Sequence, residues 1–480
     1  MATSNLVQGD FAKSTEEPAP GQYLNETTRY LCGAAYSDAA FRNALLKRER
    51  DKVRATAPET GVDVALVTEH CHRAARFSLV RDLLITILAV VGVGLLASMA
   101  GSEVPDPNVI GFFLACCFGV FLLTTIETFR QDNLARRELT RDAFYRKHDN
   151  AAPQDSDDNV VIYSGFSPFV GSGSDIGGWS FTIDLDRPSQ TLGPHKPRNF
   201  LLSDLYGYVE NVFTELQLPR LKIRRKLFAN GKRIRDMALL LKDPHRRPVT
   251  RVADAIVSGS VDIGSGVIRH YLCLETTNWD GEVVITFFIQ FRQLSSKLFV
   301  EVSTFLLPPV RAAYFDLDKV HPTRRFRDAS GLLVASLVKS LFLPVISPFL
   351  CWGRISAAWE RSQEDRKLRK EIEEDLLFDY GARQSAREMA TGNEWRSYFQ
   401  KLDKEMLHKI IQQQLIDSLV DFFDDHGIDT SEIKERTMHI LNNGVFVSGG
   451  TINAQGLAVG SGAQANVGGT LRRAREKMSA

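Results

Sequence analysis

Two stretches of the chain are apolar on every face a helix could present. Residues 83–100 read LLITILAVVGVGLLASMA and residues 109–126 read VIGFFLACCFGVFLLTTI, with no charged residue in either. Each comes close to the ~20 residues a helix needs to cross a bilayer's hydrocarbon core. A helix can remain there because it satisfies its own backbone hydrogen bonds. The linker GSEVPDPN, 101–108, leaves room only for a turn, so a two-helix transmembrane hairpin is expected. Arg73, Arg76 and Arg81 precede the first run, and Arg130, Arg136, Arg137, Arg141, Arg146 and Lys147 follow the second. The turn holds Glu103 and Asp106 but no Lys or Arg. Positive charge marks the cytoplasmic side, which predicts that both termini are cytoplasmic.

A third apolar stretch, 331–353, reads GLLVASLVKSLFLPVISPFLCWG and contains Lys339, Pro344 and Pro348. Basic residues flank it on both sides, which opposes a simple crossing. Its prolines are expected to break a helix near the middle. The reading is a re-entrant, interfacial or buried apolar segment.

The remaining pattern is that of a folded domain. Residues 23–80 have helical spacing, and 62–80 lead into the first apolar run. A charged helix is expected over 127–148, followed by the linker composition of 150–158. Strands are predicted at 160–163 and 179–185, and an amphipathic helix at 200–216. Three further strands, 267–275, 282–292 and 297–305, have short connections that predict an antiparallel meander. Residues 395–423 place Leu407, Ile411, Leu415, Leu419 and Phe423 four apart. That stripe suits either packing on the domain or association with a partner. The fold class is therefore α+β with an antiparallel sheet. The divisions are 1–61, an N-terminal tail and helix; 62–128, the hairpin; 129–152, a charged helix and linker; and 153–330, the α+β domain. After these come 331–353, the apolar segment; 354–441, a helical region; and 442–480, a Gly-rich tail prone to β-structure.

Composition narrows the chemistry. A net charge of +1 gives the whole chain no bulk attraction for nucleic acid. Cys32, Cys71, Cys116, Cys117, Cys273 and Cys351 are scattered, with no CxxC pair. His70 and His72 sit two apart on a predicted helix, so they point to different faces. No metal site, cofactor or catalytic residue is assigned. The loop SGFSPFVGSGSDIGG carries Gly165, Gly171, Gly173, Gly177 and Gly178, but no Lys follows it and a strand, not a helix, comes next. A phosphate cradle needs the helix N-terminus. The loop is expected to turn the chain with glycines at positive φ over packed aromatics. Gly171 and Gly173, with the DxD pair Asp184 and Asp186, remain the candidate ligand-binding residues. In the strongly basic segment 220–251, Lys222, Arg224, Arg225 and Lys226 are candidates for contact with anionic lipid. In the tail, Val445, Val447, Ile452, Leu457 and Val459 recur between glycines at the spacing of short stacked strands, and self-association is expected through them.

YSGFSPFVGSG followed by GGWSF, and ILNNGVFVSGGTINAQGLAVGSGA near the end, together with the hairpin, resemble uncharacterised bacterial integral membrane proteins. The tail is similar to prokaryotic amyloid-signalling tails, which implies signal transfer by templated β-stacking. The resemblance implies no particular site residues. Taken together, the sequence reads as a bacterial inner-membrane sensor, scaffold or assembly protein. Its expected partners are the lipid bilayer, further copies of itself and a protein reached through the tail. The alternative is a membrane-tethered enzyme using the loop 165–178 and Asp184/Asp186.

Overall fold

The computed structural model describes residues 25–100, 106–148, 158–189, 197–218, 220–261, 266–321, 323, 326–392 and 394–435. Val445, Val447, Ile452, Leu457 and Val459 lie outside these residues, as does most of the 101–108 turn. Two short helices open the described chain, α1 (Glu26–Ser37) and α2 (Ala39–Arg50). Asn25 caps α1 by accepting from Thr28 N, and Asp38 caps α2 by accepting from Phe41 N. Two long helices follow, α3 (Val64–Ala100) and α4 (Pro107–Leu134). Asp106 and Pro107 start α4 in the favoured way: a side-chain cap, then a proline where no N–H is needed. A π-helical turn, Ala135–Leu139, joins α4 to α5 (Arg141–His148).

The domain that follows is mixed α+β. Its elements are β1 (Val160–Tyr163), β2 (Ser174–Asp184), α6 (Leu202–Glu215), β3 (Leu221–Asn230), α7 (Asp254–Gly259), β4 (Ile268–Asn278), β5 (Val283–Leu294) and β6 (Lys297–Leu307). After a 3-10 helix, Ala312–Lys319, come α8 (Phe326–Glu374), α9 (Ala386–Met389) and α10 (Tyr398–Asp425). The sheet order is β1-β3-β4-β5-β6-β2. The predicted meander β4-β5-β6 is its centre, turned at Trp279–Gly281 with φ positive at all three residues. The sheet is mixed, not purely antiparallel, because β1 pairs parallel to β3. β3 itself was not anticipated. It lies in the basic segment, where the consecutive charges Arg224, Arg225 and Lys226 interrupt the apolar alternation of a strand.

Helices α6 and α10 cover one face of the sheet. Leu205, Val209 and Phe213 of α6 meet Phe287 and Ile289 of β5, and Ile411, Leu415 and Leu419 of α10 complete the core. The apolar stripe of α10 is thus spent on the domain. On the other face Phe169, from the glycine loop, stacks on Phe288 at 4.1 Å between ring centres and touches Phe228, Tyr271 and Phe305.

α3, α4 and α8 pack together. Each is long and apolar enough to cross a membrane, and little of each apolar window is buried. Arg81 pairs with Glu127 at 2.7 Å, which fixes the level at which α3 and α4 meet. Leu88 lies over Gly119, where a Cβ would meet it at 3.2 Å. The apolar segment 331–353 belongs to one continuous helix that runs through Pro344 and Pro348, so the prolines do not break it. Neither is it a buried core helix: Leu341, Val345, Phe349 and Trp352 are all exposed.

The course of α8 is constrained at several points. Near its start Asp328 pairs with Arg136. Thr124 of α4 donates to Ser336 O at 3.3 Å, and Thr86 of α3 donates to Cys351 Sγ at 3.3 Å. Thr86 and Thr124 stand at nearly the same level, judging by the Arg81–Glu127 pair. A straight helix would advance about 22 Å between residues 336 and 351. α8 therefore bends across the α3–α4 pair, and Pro344 and Pro348 lie within that interval. At its other end Ile372 packs with Val160 and Leu227 in the sheet domain, and Arg235 donates to the carbonyls of Ile372 and Asp375 at 2.7 and 2.8 Å. Both ends of α8 return to the side of the sheet.

The Phe169 ring anchors the glycine loop on this face of the sheet. Phe169→Ala is expected to cost about 3–5 kcal/mol of domain stability, read as a lowered thermal midpoint of the purified full chain.

Candidate functional site

A cavity opens where the long helices meet the sheet domain. Its volume is about 900 Å³. Three parts of the fold form its walls. The π turn and α5 supply Arg136, Arg137, Arg141 and Arg146; α1 supplies Glu26, Arg29 and Tyr30; the meander turn and the start of α10 supply Trp279, Asp280, Glu282, Arg396, Ser397 and Gln400. Asp318 of the 3-10 helix closes it. π turns of this kind often mark functional sites in helices.

The floor is a closed network of charges. Arg29 is 2 % exposed in its side chain and bonds Glu26 at 2.6 Å. It also pairs with Asp318 and donates to the Leu139 carbonyl at 3.0 Å. Tyr30 donates to Asp318 at 2.6 Å. Arg396 reaches Tyr30 Oη at 2.9 Å, Glu282 at 3.0 Å and Asp318 at 3.1 Å. Gln400 donates to the second oxygen of Glu282. Beneath lies Arg387, fully buried, whose Nη2 holds the carbonyls of Glu282 and Pro308 at 2.8 and 2.7 Å.

These contacts set the charge states. Burial works to raise the Asp318 pKa, but the bonds from Tyr30 and Arg29 outweigh it and hold the carboxyl below its ordinary range. At Glu282 burial wins over Gln400 and Arg396, and its pKa is raised. Burial likewise pushes the Arg387 guanidinium down to about 10. For Arg29 burial works to lower the pKa, and its carboxylate partners more than reverse it.

The cations on the outer wall differ in how far they are committed. Arg141 pairs with Glu26 at 3.0 Å and Arg136 with Asp132 at 2.8 Å. Arg146 donates to the Asp142 carbonyl of its own helix, and Arg137 has no ion-pair partner among the described residues. Both are exposed at the rim of the cavity.

The residues singled out in the sequence stand elsewhere. The Gly171 and Gly173 amides both donate to one carboxylate oxygen of Glu388, at 2.9 Å each. The loop was expected only to turn the chain, and in the structure two of its amides hold the protein's own Glu388 carboxylate. At Gly173 φ is +88° and a Cβ would sit 2.2 Å from the Leu306 carbonyl, so glycine is required. The loop is also shorter than expected, since β2 starts at Ser174 and takes Gly177 and Gly178 into its ladder with β6. Asp184 ends β2, facing Lys297 at 3.6 Å and accepting from Asp186 N at 3.2 Å. Both aspartates are exposed and lie apart from the cavity.

Strand alternation divides Lys222, Arg224, Arg225 and Lys226 between the two faces of β3. Arg225 is bonded to both oxygens of Glu210 on α6, at 2.6 and 2.7 Å. His70 meets the Tyr36 hydroxyl at 3.1 Å and His72 meets Glu49 at 2.7 Å, so the two rings serve different neighbours. Sequence reasoning missed the cavity because its residues come from five segments spread between Glu26 and Gln400. The basic run after the second apolar stretch was seen, but only as a marker of orientation.

The fold and this junction define a mixed α+β domain seated on apolar helices long enough to cross a membrane. The chain belongs to the AbeC-like domain family, whose match covers residues 178–454, more than half its length. No curated protein matches the chain, and no solved structure does. The match begins within β2, so the cavity lies on the seam between the family domain and the α1–α5 segment that precedes it.

Because the Asp318 pKa is depressed, its contribution to stability is present above the ordinary value of 3.8 and is lost as pH falls through the folded value. Asp318→Asn should therefore lower stability near neutral pH and flatten the loss on acidification below about pH 4, measured as thermal midpoint against pH.

Proposed function

We propose that the protein is a membrane-anchored sensor or scaffold of the bacterial inner membrane, with its α+β domain held on the cytoplasmic face. One observation carries this reading: the apolar helices run directly into the ionic network that ties the domain together. The π turn that continues α4 gives its Leu139 carbonyl to Arg29, and Arg29 holds Asp318, which Arg396 shares at the head of α10. Arg73 of α3 also bonds Glu138 of the π turn at 2.9 Å. A displacement of α3 against α4 would reach the domain through these bonds, as a sensor requires, and a rigid clamp of the same kind would serve a scaffold. The tail past residue 441 extends the scaffold reading to self-association, with Ile452 and Val459 among the side chains it would bury.

In this reading α3 and α4 cross the bilayer, while α8 enters and leaves on the cytoplasmic side. Its exposed apolar side chains then lie in one leaflet. Basic flanks on both sides of α8 and of the hairpin support this placement.

Cysteine accessibility in intact cells tests it, in a background without the native cysteines. A cysteine at Glu103, in the turn, is expected to label from outside. Cysteines at Arg327 and Glu374, the two ends of α8, are both expected to be protected until the membrane is opened. External labelling at either end of α8 would overturn the two-crossing arrangement. External labelling at both ends with protection at Glu103 would place the domain on the opposite side.

A further inference from the structure

We infer that the junction cavity is a binding site for a soluble, phosphate-bearing molecule of nucleotide size. This rests on the sensor reading proposed above, and it names a class of ligand that the junction would take.

Four features converge on that chemistry. The cavity, at about 900 Å³, has the size of a small-molecule site. Arg137 and Arg146 line its rim without carboxylate partners of their own among the described residues, and arginine is the side chain best shaped for phosphate oxygens. The first turn of α10, a helix of 28 residues, opens on the same space through Ser397 and Gln400, and its partial positive charge favours an anion. Trp279 adds an aromatic wall, its indole fixed by a 2.9 Å bond to Asp403. A phosphate at the arginine rim and a planar ring against Trp279 would use both the cationic and the aromatic lining of the cavity.

Depth separates a soluble ligand from a lipid headgroup. From residue 126, the end of the apolar run, to Arg137 the helix advances about 16 Å. The headgroup layer is only about 5–7 Å thick. Arg137 therefore stands well into the aqueous side.

The test uses the full chain in neutral nanodiscs and a fluorescently labelled ATP, read by polarisation. Saturable binding is expected, displaced by unlabelled ATP and weakened by salt. The double variant Arg137→Glu/Arg146→Glu should weaken it about tenfold or more, while Lys409→Glu, a charge reversal away from the cavity, should leave it unchanged. Trp279→Ala should weaken ATP but not inorganic pyrophosphate. The proposal is overturned if no saturable binding occurs up to about 1 mM. It is also overturned if the double variant binds as the wild type does, or if only nanodiscs containing phosphatidic acid stabilise the protein. Equal effects of Trp279→Ala on ATP and pyrophosphate would refute the aromatic contact. Binding is measured here without reference to coupling or topology, so its failure would leave the anchoring reading to its own test.

Discussion

A buried arginine organises this protein. Arg29 sits in α1 with almost no exposed side chain, and its charge is acceptable there only because Glu26, Asp318 and the Leu139 carbonyl surround it. A buried pair of this kind adds little net stability, but removing one partner strands a charge and costs about 3–5 kcal/mol. Its three partners belong to α1 itself, to the 3-10 helix after the meander and to the π turn after α4. The arginine thus dictates how three distant pieces of chain meet. Around it Tyr30, Leu31, Cys32 and Ala35 of α1 pack on Val67 and Cys71 of α3, Leu139 and Phe144 beyond α4, and Val310 and Tyr314 beyond β6. The apolar helices are docked to the sheet by a core of their own, and the ionic network seals the edge of that core.

The same arrangement explains the path of α8. A helix of 49 residues would be about 74 Å long if straight. One end is tied by Asp328 to Arg136 of the π turn where the helices meet the sheet domain, and the other by Ile372 to the core beneath β1 and β3. It therefore has to bend, and its prolines allow the bend without ending the helix. The exposed Phe342, Phe349 and Trp352 along this bend would be a liability in water and fit a lipid surface.

Much of the fold was legible in the sequence because it rests on local pattern. The uncharged runs, the meander 268–307 and the stripe from Leu407 to Phe423 all became elements of the expected kind. Phe169 packs beneath the glycine loop as its composition suggested. β3 was hidden because the run Arg224, Arg225, Lys226 puts a charge where its apolar alternation should continue. The occupant of the glycine amides was hidden because Glu388 is 217 residues from Gly171. The junction was invisible for the same reason: each of its charges looks like an ordinary surface residue until the sheet brings Glu282 and Asp318 to α1. Periodicity reports which face of an element is buried, and it carries no record of which distant charge lies opposite.

The central claim is that the long apolar helices and the domain are one mechanical unit through Arg29 and Asp318. Hydrogen–deuterium exchange on the full chain carrying Asp318→Ala measures this most directly. The account predicts faster exchange at once in the π turn and α5, residues 135–148, and in the first turns of α10, residues 398–404. A rise confined to the 3-10 helix around residue 318, with both distant segments unchanged, would contradict it.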